Sequence, residues 1–375
     1  MNLEPSRLPE LFRFFSRLGI TAFGGPAAHI ALMEHEAVER RRWLSREQFL
    51  DLVGACNLLP GPSSTQVAMA LGYTRAGWAG LAVAGVCFIV PAALATLALA
   101  WAYVRYGSMP QTKGLLYGAK PVMIAIIAQA IWRLGQMALR RWVLAGVGIA
   151  CFAAVLAGAQ PLAVLLAGGG LLALLGAARR LQLRRARSIA ALPFALAAGV
   201  PASASLLSIV LVFLKLGVVV FGSGYVLLAF LQTDLVDRLH WVTQAQLLDA
   251  VTAGQVTPGP VFATATFLGY LIHGFSGAAA ATAAIFLPSF FMAGIVGALA
   301  SRMRKSPLAA AFLDGVNAAA IALMAAVAIA LGRATLIDPV TWAVALISAA
   351  LLIRYRVNAT WLIVAGAMLG VLVRH

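Results

Sequence analysis

Residues 43–73 read WLSREQFLDLVGACNLLPGPSSTQVAMALGY, and residues 241–270 read WVTQAQLLDAVTAGQVTPGPVFATATFLGY. Trp43 falls on Trp241, Gln48 on Gln246, Asp51 on Asp249 and Pro60-Gly61-Pro62 on Pro258-Gly259-Pro260, at a constant offset of 198 residues. So many coincidences mark an internal repeat. The register extends both ways: Leu18, Gly19, Phe23 and Gly24 meet Leu216, Gly217, Phe221 and Gly222. After a one-residue deletion, Leu71-Gly72-Tyr73 meets Leu268-Gly269-Tyr270, and Gly80, Pro91, Gly118 and Gly135 meet Gly277, Pro288, Gly315 and Gly332.

Each copy carries a capping box ahead of the prolines, Ser45 to Gln48 and Thr243 to Gln246, so a helix starts at each. It must stop at Pro60 and Pro258, because proline lacks the donor that a helix interior needs and the glycine relaxes the turn. A new helix can begin at Pro62 and Pro260, since proline suits a first helical position. The expectation is a broken helix in both halves.

The surroundings are those of a membrane protein. The chain has 375 residues, 62% hydrophobic and 11% charged, with mean hydropathy +0.93, more apolar surface than one soluble core could hide. Apolar runs recur at Ile20 to Met33, Trp78 to Tyr103, Leu115 to Trp132, Trp142 to Gly158 and Pro161 to Ala178. A second series runs Leu206 to Leu231, Phe275 to Ala300, Ala309 to Leu331, Val340 to Ile353 and Trp361 to Val373. The net charge of +16 resides in short loops between these runs, which points to lipid headgroups and orientation signals and not to a nucleic acid. Cys56, Cys87 and Cys151 have no metal-ligand spacing, and His29 with His35 or Glu36 lacks HExxH spacing and a third ligand, so no metal or cofactor is expected. The N-terminal apolar stretch ending near Pro26 resembles a signal peptide, but its recurrence in mid-chain argues against cleavage.

Equivalent loops carry opposite charge bias. Glu34 to Glu47 holds Arg40, Arg41, Arg42 and Arg46 against Arg238 alone in the second copy, while Arg105 and Lys113 face Arg302, Arg304 and Lys305. Arg133, Arg140 and Arg141 face Arg333; the loop near Gly158 has none against Arg354 and Arg356; and Arg179 to Arg187 holds five against Arg374. The bias reverses in every pair, which implies inverted topology and an odd number of crossings per copy. The expected architecture is all-α and polytopic, with two homologous inverted repeats of about five crossings each plus a re-entrant Pro-Gly-Pro segment. The repeats are 1–178 and 204–375, joined by a basic cytoplasmic linker, 179–203. Gly24-Gly25-Pro26 could also break the first segment, which would move the N-terminus to the other side.

Inverted repeats with interrupted helices point to a secondary transporter with its site near the midplane. Broken helix ends expose backbone groups that cost several kcal/mol in hydrocarbon unless a cavity or ligand satisfies them. After Pro62 the first copy reads Ser63-Ser64-Thr65-Gln66, hydroxyls and an amide at the positive end of a helix, which is chemistry for an anion. The second copy offers Thr257 and Thr264 around Val261-Phe262-Ala263. The plain alternative is that each Pro-Gly-Pro kinks a packed helix and the hydroxyls bond the preceding turn. Arg17 aligns with Lys215, one cation per copy beside the Gly-rich breaks Gly24-Gly25 and Gly222-Ser223-Gly224, and Lys120 is a third candidate. Asp51 and Asp249 are candidates to couple protons or to pair with these cations. No Walker loop or dinucleotide fingerprint is present, and a lipid-phosphate enzyme would lack its carboxylate cluster, metal motif and nucleophile.

The sequence resembles the chromate ion transporters in their long, two-domain form. The resemblance rests on Arg17-Leu18-Gly19, Phe23-Gly24-Gly25-Pro26 with His29, Trp43-Leu44, Phe49-Leu50-Asp51, Pro60-Gly61-Pro62 and Leu71-Gly72-Tyr73. In the second copy it rests on Phe221 to Tyr225, Trp241, Leu248-Asp249, Thr257 to Pro260 and Leu268-Gly269-Tyr270. It implies chromate efflux across the bacterial inner membrane, giving resistance, with sulfate as a look-alike competitor and sulfate or another oxyanion as the alternative substrate; a homodimer is compatible with such a carrier. A tetrahedral dianion needs converging donors and about two positive charges, which the broken helices with Arg17 and Lys215 could provide.

Overall fold

A computed structural model describes residues 7–23, 25–57, 59–107, 109–139, 141–181, 204–220, 226–303, 307–355 and 357–373. Regular structure there is helical, and it repeats. The first half contains α1 (Arg7–Thr21), α2 (Gly25–Glu34), a π-helical turn His35–Arg40, α3 (Arg46–Cys56), α4 (Ser63–Tyr106), α5 (Pro110–Ala138), α6 (Trp142–Leu156) and α7 (Pro161–Leu181). The second contains α8 (Leu206–Val219), α9 (Val226–Leu231), a π-helical turn Gln232–Arg238, α10 (Gln244–Val256), α11 (Thr264–Met303), α12 (Pro307–Thr335), α13 (Pro339–Arg354) and α14 (Ala359–Val373). Most of the linker, 182–203, lies outside the described residues.

Both capping boxes form, with Ser45 and Gln48, and Thr243 and Gln246, exchanging bonds reciprocally. Pro62 stands one position earlier than expected, as the N-cap of α4, and Pro260 caps a 3-10 turn, Val261–Ala263, that leads into α11. The first apolar run of each half is divided. Ile20 to Met33 breaks after Thr21, and Leu206 to Leu231 after Val219. The 15-residue α1 is ~22 Å long, short of a ~30 Å hydrocarbon core.

Among the described residues, Ser63–Tyr106, Pro110–Gln136, Val261–Val296 and Ala310–Thr335 are long and apolar enough to cross a membrane. Two of these contain a sharp reversal. Ala76 and Gly77 leave helical geometry, Gly77 at φ 60 and ψ −148, and so do His273 and Gly274, at φ 61 and ψ −149 for the glycine. The backbones of Gly72 and Gly80 touch across the break, as do those of Gly269 and Gly277. Residues eight apart in one helix would be ~12 Å apart along its axis, so the chain folds back at each point. α3 and the segment 63–75 thus form a short helical hairpin closed by Pro60-Gly61-Pro62, ahead of a long helix from Trp78.

The halves are interleaved. α5 packs against α13 and α14 of the other half, and α12 packs against α6 and α7. Small residues permit this approach. Gly118 meets the backbone of Gly366, and its equivalent Gly315 meets that of Gly168 and of Gly169, the position equivalent to Gly366. Such reciprocity is the mark of a two-fold relation.

Candidate functional site

The two-fold relation is closest at the Pro-Gly-Pro turns. The Gly61 N–H donates to Val220 O at 2.6 Å, and the Gly259 N–H donates to Ala22 O at 2.9 Å. Ala22 and Val220 are the equivalent residues that follow α1 and α8. The break in each first segment therefore leaves a carbonyl turned out to receive the other half's turn, which accounts for the division the hydropathy pattern did not indicate. Both glycines need positive φ, +114 and +90, and both lie against the opposite half. Gly61 abuts Ser289 and Gly259 abuts Ala92, again equivalent positions.

In this symmetric frame the chemistry is one-sided. Around the first turn Ser63, Ser64, Thr65 and Gln66 are all buried. The N-cap, Pro62, supplies no side-chain acceptor, and the amides of Ser64 and Thr65 have no partner inside the helix. Gln66 Nε2 donates to Pro60 O, which fixes the amide's orientation and leaves Oε1 without a partner. Thr65 Oγ1 and Ser289 Oγ are likewise buried and unpaired. Each such group costs ~1–3 kcal/mol if left so. His29, fully buried, completes the surround: its Nε2 lies 3.1 Å from Ala22 O and its Nδ1 3.4 Å from Ser64 Oγ, with Phe88 edge-on to the ring.

The second turn is mostly apolar, although Gln255 Nε2, two residues before Thr257, is buried and unpaired. Val261, Phe262 and Ala263 follow its prolines, and Leu227 stands at the position equivalent to His29. Thr264 Oγ1 donates to Val261 O, and Thr257 Oγ1 pairs with Gly254 O and Thr96 Oγ1. The hydroxyls on this side are consumed within the protein.

The cations lie elsewhere. Arg17 is exposed on α1 and has no ion-pair partner among the described residues. Lys215 is held by Asp234, Nζ to the carboxylate oxygens at 2.8 and 3.1 Å, and Asp234 also takes Arg238. Lys120 is bound at 3.0 Å to Asp249, which also accepts from Tyr103 Oη at 3.0 Å. That cluster joins the halves, since Asp249 comes from the second and Lys120 and Tyr103 from the first, and it borders a cavity of ≈ 50 Å³ with Gln244 and Thr335. Asp51 also has a partner. The structure thus brings together Pro60 to Gln66, while Arg17, Lys120 and Lys215 are not gathered with them. Gly25 opens α2 in a buried position; Gly24, Gly222, Ser223 and Gly224 lie outside the described residues. No group of residues suited to hold a metal occurs among the described ones.

His29 and Ser289 were not singled out as ligands from the sequence. Their signal is a mismatch between aligned copies, polar at 29 and 289 where Leu227 and Ala92 stand opposite.

Comparison with known proteins follows the same division. A family model described as chromate transporter matches residues 9–174 and 207–371, once per half. The chromate transport protein of Cupriavidus metallidurans is 34% identical over 374 residues, covering 98% of this chain and 93% of that protein. The chromate transport protein of Pseudomonas aeruginosa is 32% identical over 389 residues, 98% and 93% of the two chains. A probable chromate transport protein of Synechococcus elongatus is 33% identical over 356 residues, 93% and 91%. No solved structure matches the chain.

Proposed function

This chain belongs to the chromate transporter family, and on that premise we propose that it is a secondary carrier that exports chromate across the bacterial inner membrane and so confers resistance. The observation that carries the reading is the buried, uncapped first turn of α4, with Thr65 Oγ1, Gln66 Oε1 and Ser289 Oγ unpaired, at the point where the halves meet. A helix N-terminus in a low-dielectric site attracts negative charge, and the unpaired hydroxyls of Thr65 and Ser289 can donate to an oxyanion that enters. Ser63 to Gln66 and the Pro60-Gly61-Pro62 turn of the first half, with Ser289 from the second, form the proposed site.

Transport requires that the site open to each side in turn. The reciprocal bonds Gly61 to Val220 and Gly259 to Ala22 are related by a pseudo-two-fold axis, and the reversed charge bias of equivalent loops supports placing that axis in the membrane plane. Rocking of one half against the other about these contacts then exposes the turn alternately. The seal of Ser63 to Gln66 from solvent corresponds to an occluded state.

Inside-out vesicles bearing the protein should accumulate labelled chromate, and Pro60→Ala, which restores a donor and relaxes the turn, should abolish uptake. Equal accumulation by vesicles lacking the protein would refute the transport reading.

A further inference from the structure

The proposed site has an unexpected balance of groups for a doubly charged ligand. A dianion in a dry pocket needs countercharge, and the cost of burying charge rises with its square. Here the charged neighbours are committed or turned away: Lys215 to Asp234, Lys120 to Asp249, Arg75 to Glu10, with Arg17 exposed. On the elements packed against the first turn of α4, Asp51 of α3 has a partner and Glu47 is exposed at the start of that helix. His29 of α2 touches the turn through Ser64, and its Nε2 must carry a hydrogen, because Ala22 O can only accept.

Two atoms at the site are acceptors toward a ligand. Gln66 Oε1 is one, since the bond from Nε2 to Pro60 O prevents the amide from presenting its nitrogen instead. Ser64 Oγ is the other while its hydrogen is directed to His29 Nδ1. Against a fully deprotonated XO4 dianion, acceptors are unpaired and repulsive. Against HXO4 with a single negative charge, Gln66 Oε1 receives the ligand's own O–H, while the helix amides, Thr65 and Ser289 donate to its bare oxygens.

The geometry points to a site that takes its oxyanion singly protonated, with Gln66 Oε1 as the atom that reads the ligand's hydroxyl. This rests on the placement of the site at the first turn of α4. It supplies what charge and shape alone do not, a basis for separating chromate from sulfate: chromate takes up its first proton near neutral pH, whereas sulfate stays doubly charged far below it. A missing hydrogen-bond partner discriminates more strongly than a small difference in size.

Equilibrium binding of labelled chromate to the full-length protein in detergent, across neutral pH, tests this. Affinity expressed per total chromate should fall about tenfold for each pH unit above the ligand's own protonation, as one linked proton requires. Unlabelled phosphate, which keeps a proton in this range, should displace chromate, and equimolar sulfate should not. Gln66→Leu should lose at least tenfold at the acid end and flatten the profile. A flat profile in the native protein, or sulfate competing as well as chromate, overturns the inference. So does a slope that survives in Gln66→Leu and disappears in His29→Gln, which would put the proton on the imidazole. Native affinity in a folded Gln66→Leu protein would instead remove the site reading and this inference with it, whereas a flat native profile with binding lost in Gln66→Leu would leave the site standing.

Discussion

At the scale of single residues, the clearest contrast is between ion pairs that hold the protein together and uncharged atoms left waiting. Asp249 is almost wholly buried between Lys120 and Tyr103. Breaking such a pair from one side strands the other charge at a cost of ~3–5 kcal/mol, whereas replacing both partners with apolar groups is often neutral. Asp249→Asn should therefore lower the melting temperature, and Lys120→Met with Asp249→Leu should recover both stability and chromate uptake. A double variant that is stable but transport-dead would make the carboxylate a coupling group. Glu10 offers a pH test outside the apolar core. Burial alone would raise its pKa, but bonds from Arg41, Arg75 and Trp43 outweigh that and hold it below the ordinary carboxylate value. With the folded value below the unfolded one, this stabilisation is present above the unfolded pKa and is lost as pH falls through the folded one. Thermal melts below about pH 4 should fall more steeply for the native protein than for Glu10→Gln.

At the scale of elements, the reversal at Gly77 folds the segment after Pro62 into a short hairpin ahead of the long helix that begins at Trp78. A side chain at φ 60 and ψ −148 costs ~1–3 kcal/mol, so Gly77→Ala should lower the melting temperature clearly. Gly146→Ala, in an open helical position, should not. The sequence made some of these elements legible and not others, for physical reasons. The capping boxes and prolines act locally, so both ends of the Pro-Gly-Pro break could be read from a few residues. The reversals at Gly77 and Gly274 showed only as the starts of the apolar runs at Trp78 and Phe275, because Ala76-Gly77 and His273-Gly274 carry no proline to mark a turn. The breaks after Thr21 and Val219 were legible as the Gly-rich stretches that follow them, but the hydrogen bond from the other half that each break receives was not, because it comes from a turn far away in sequence. The same holds at the site. Ser63 to Gln66 were visible as hydroxyls at a helix start, but Ser289 enters only through the fold, and the commitment of Lys215 to Asp234 depends on how α8 meets the π-helical turn.

At the scale of the whole molecule, duplication has produced a symmetric frame in which one copy of a turn is polar and the other is mostly apolar. The frame predicts topology: Arg42 and His240, equivalent exposed residues that share φ 52, should lie on opposite faces of the membrane. Because the three native cysteines are buried, Arg42→Cys and His240→Cys can be labelled against low background by an impermeant thiol reagent in oriented vesicles. Labelling from the same face would contradict inversion. The asymmetry within the frame predicts which turn handles the ion, and the most direct test compares the two in one assay. In inside-out vesicles with equal amounts of folded protein, Gln66→Leu should reduce chromate uptake by at least tenfold, and Thr264→Val, in the apolar turn, should transport at the native rate. Native uptake by Gln66→Leu, or loss of uptake in Thr264→Val alone, would contradict the assignment of the ion to the first turn.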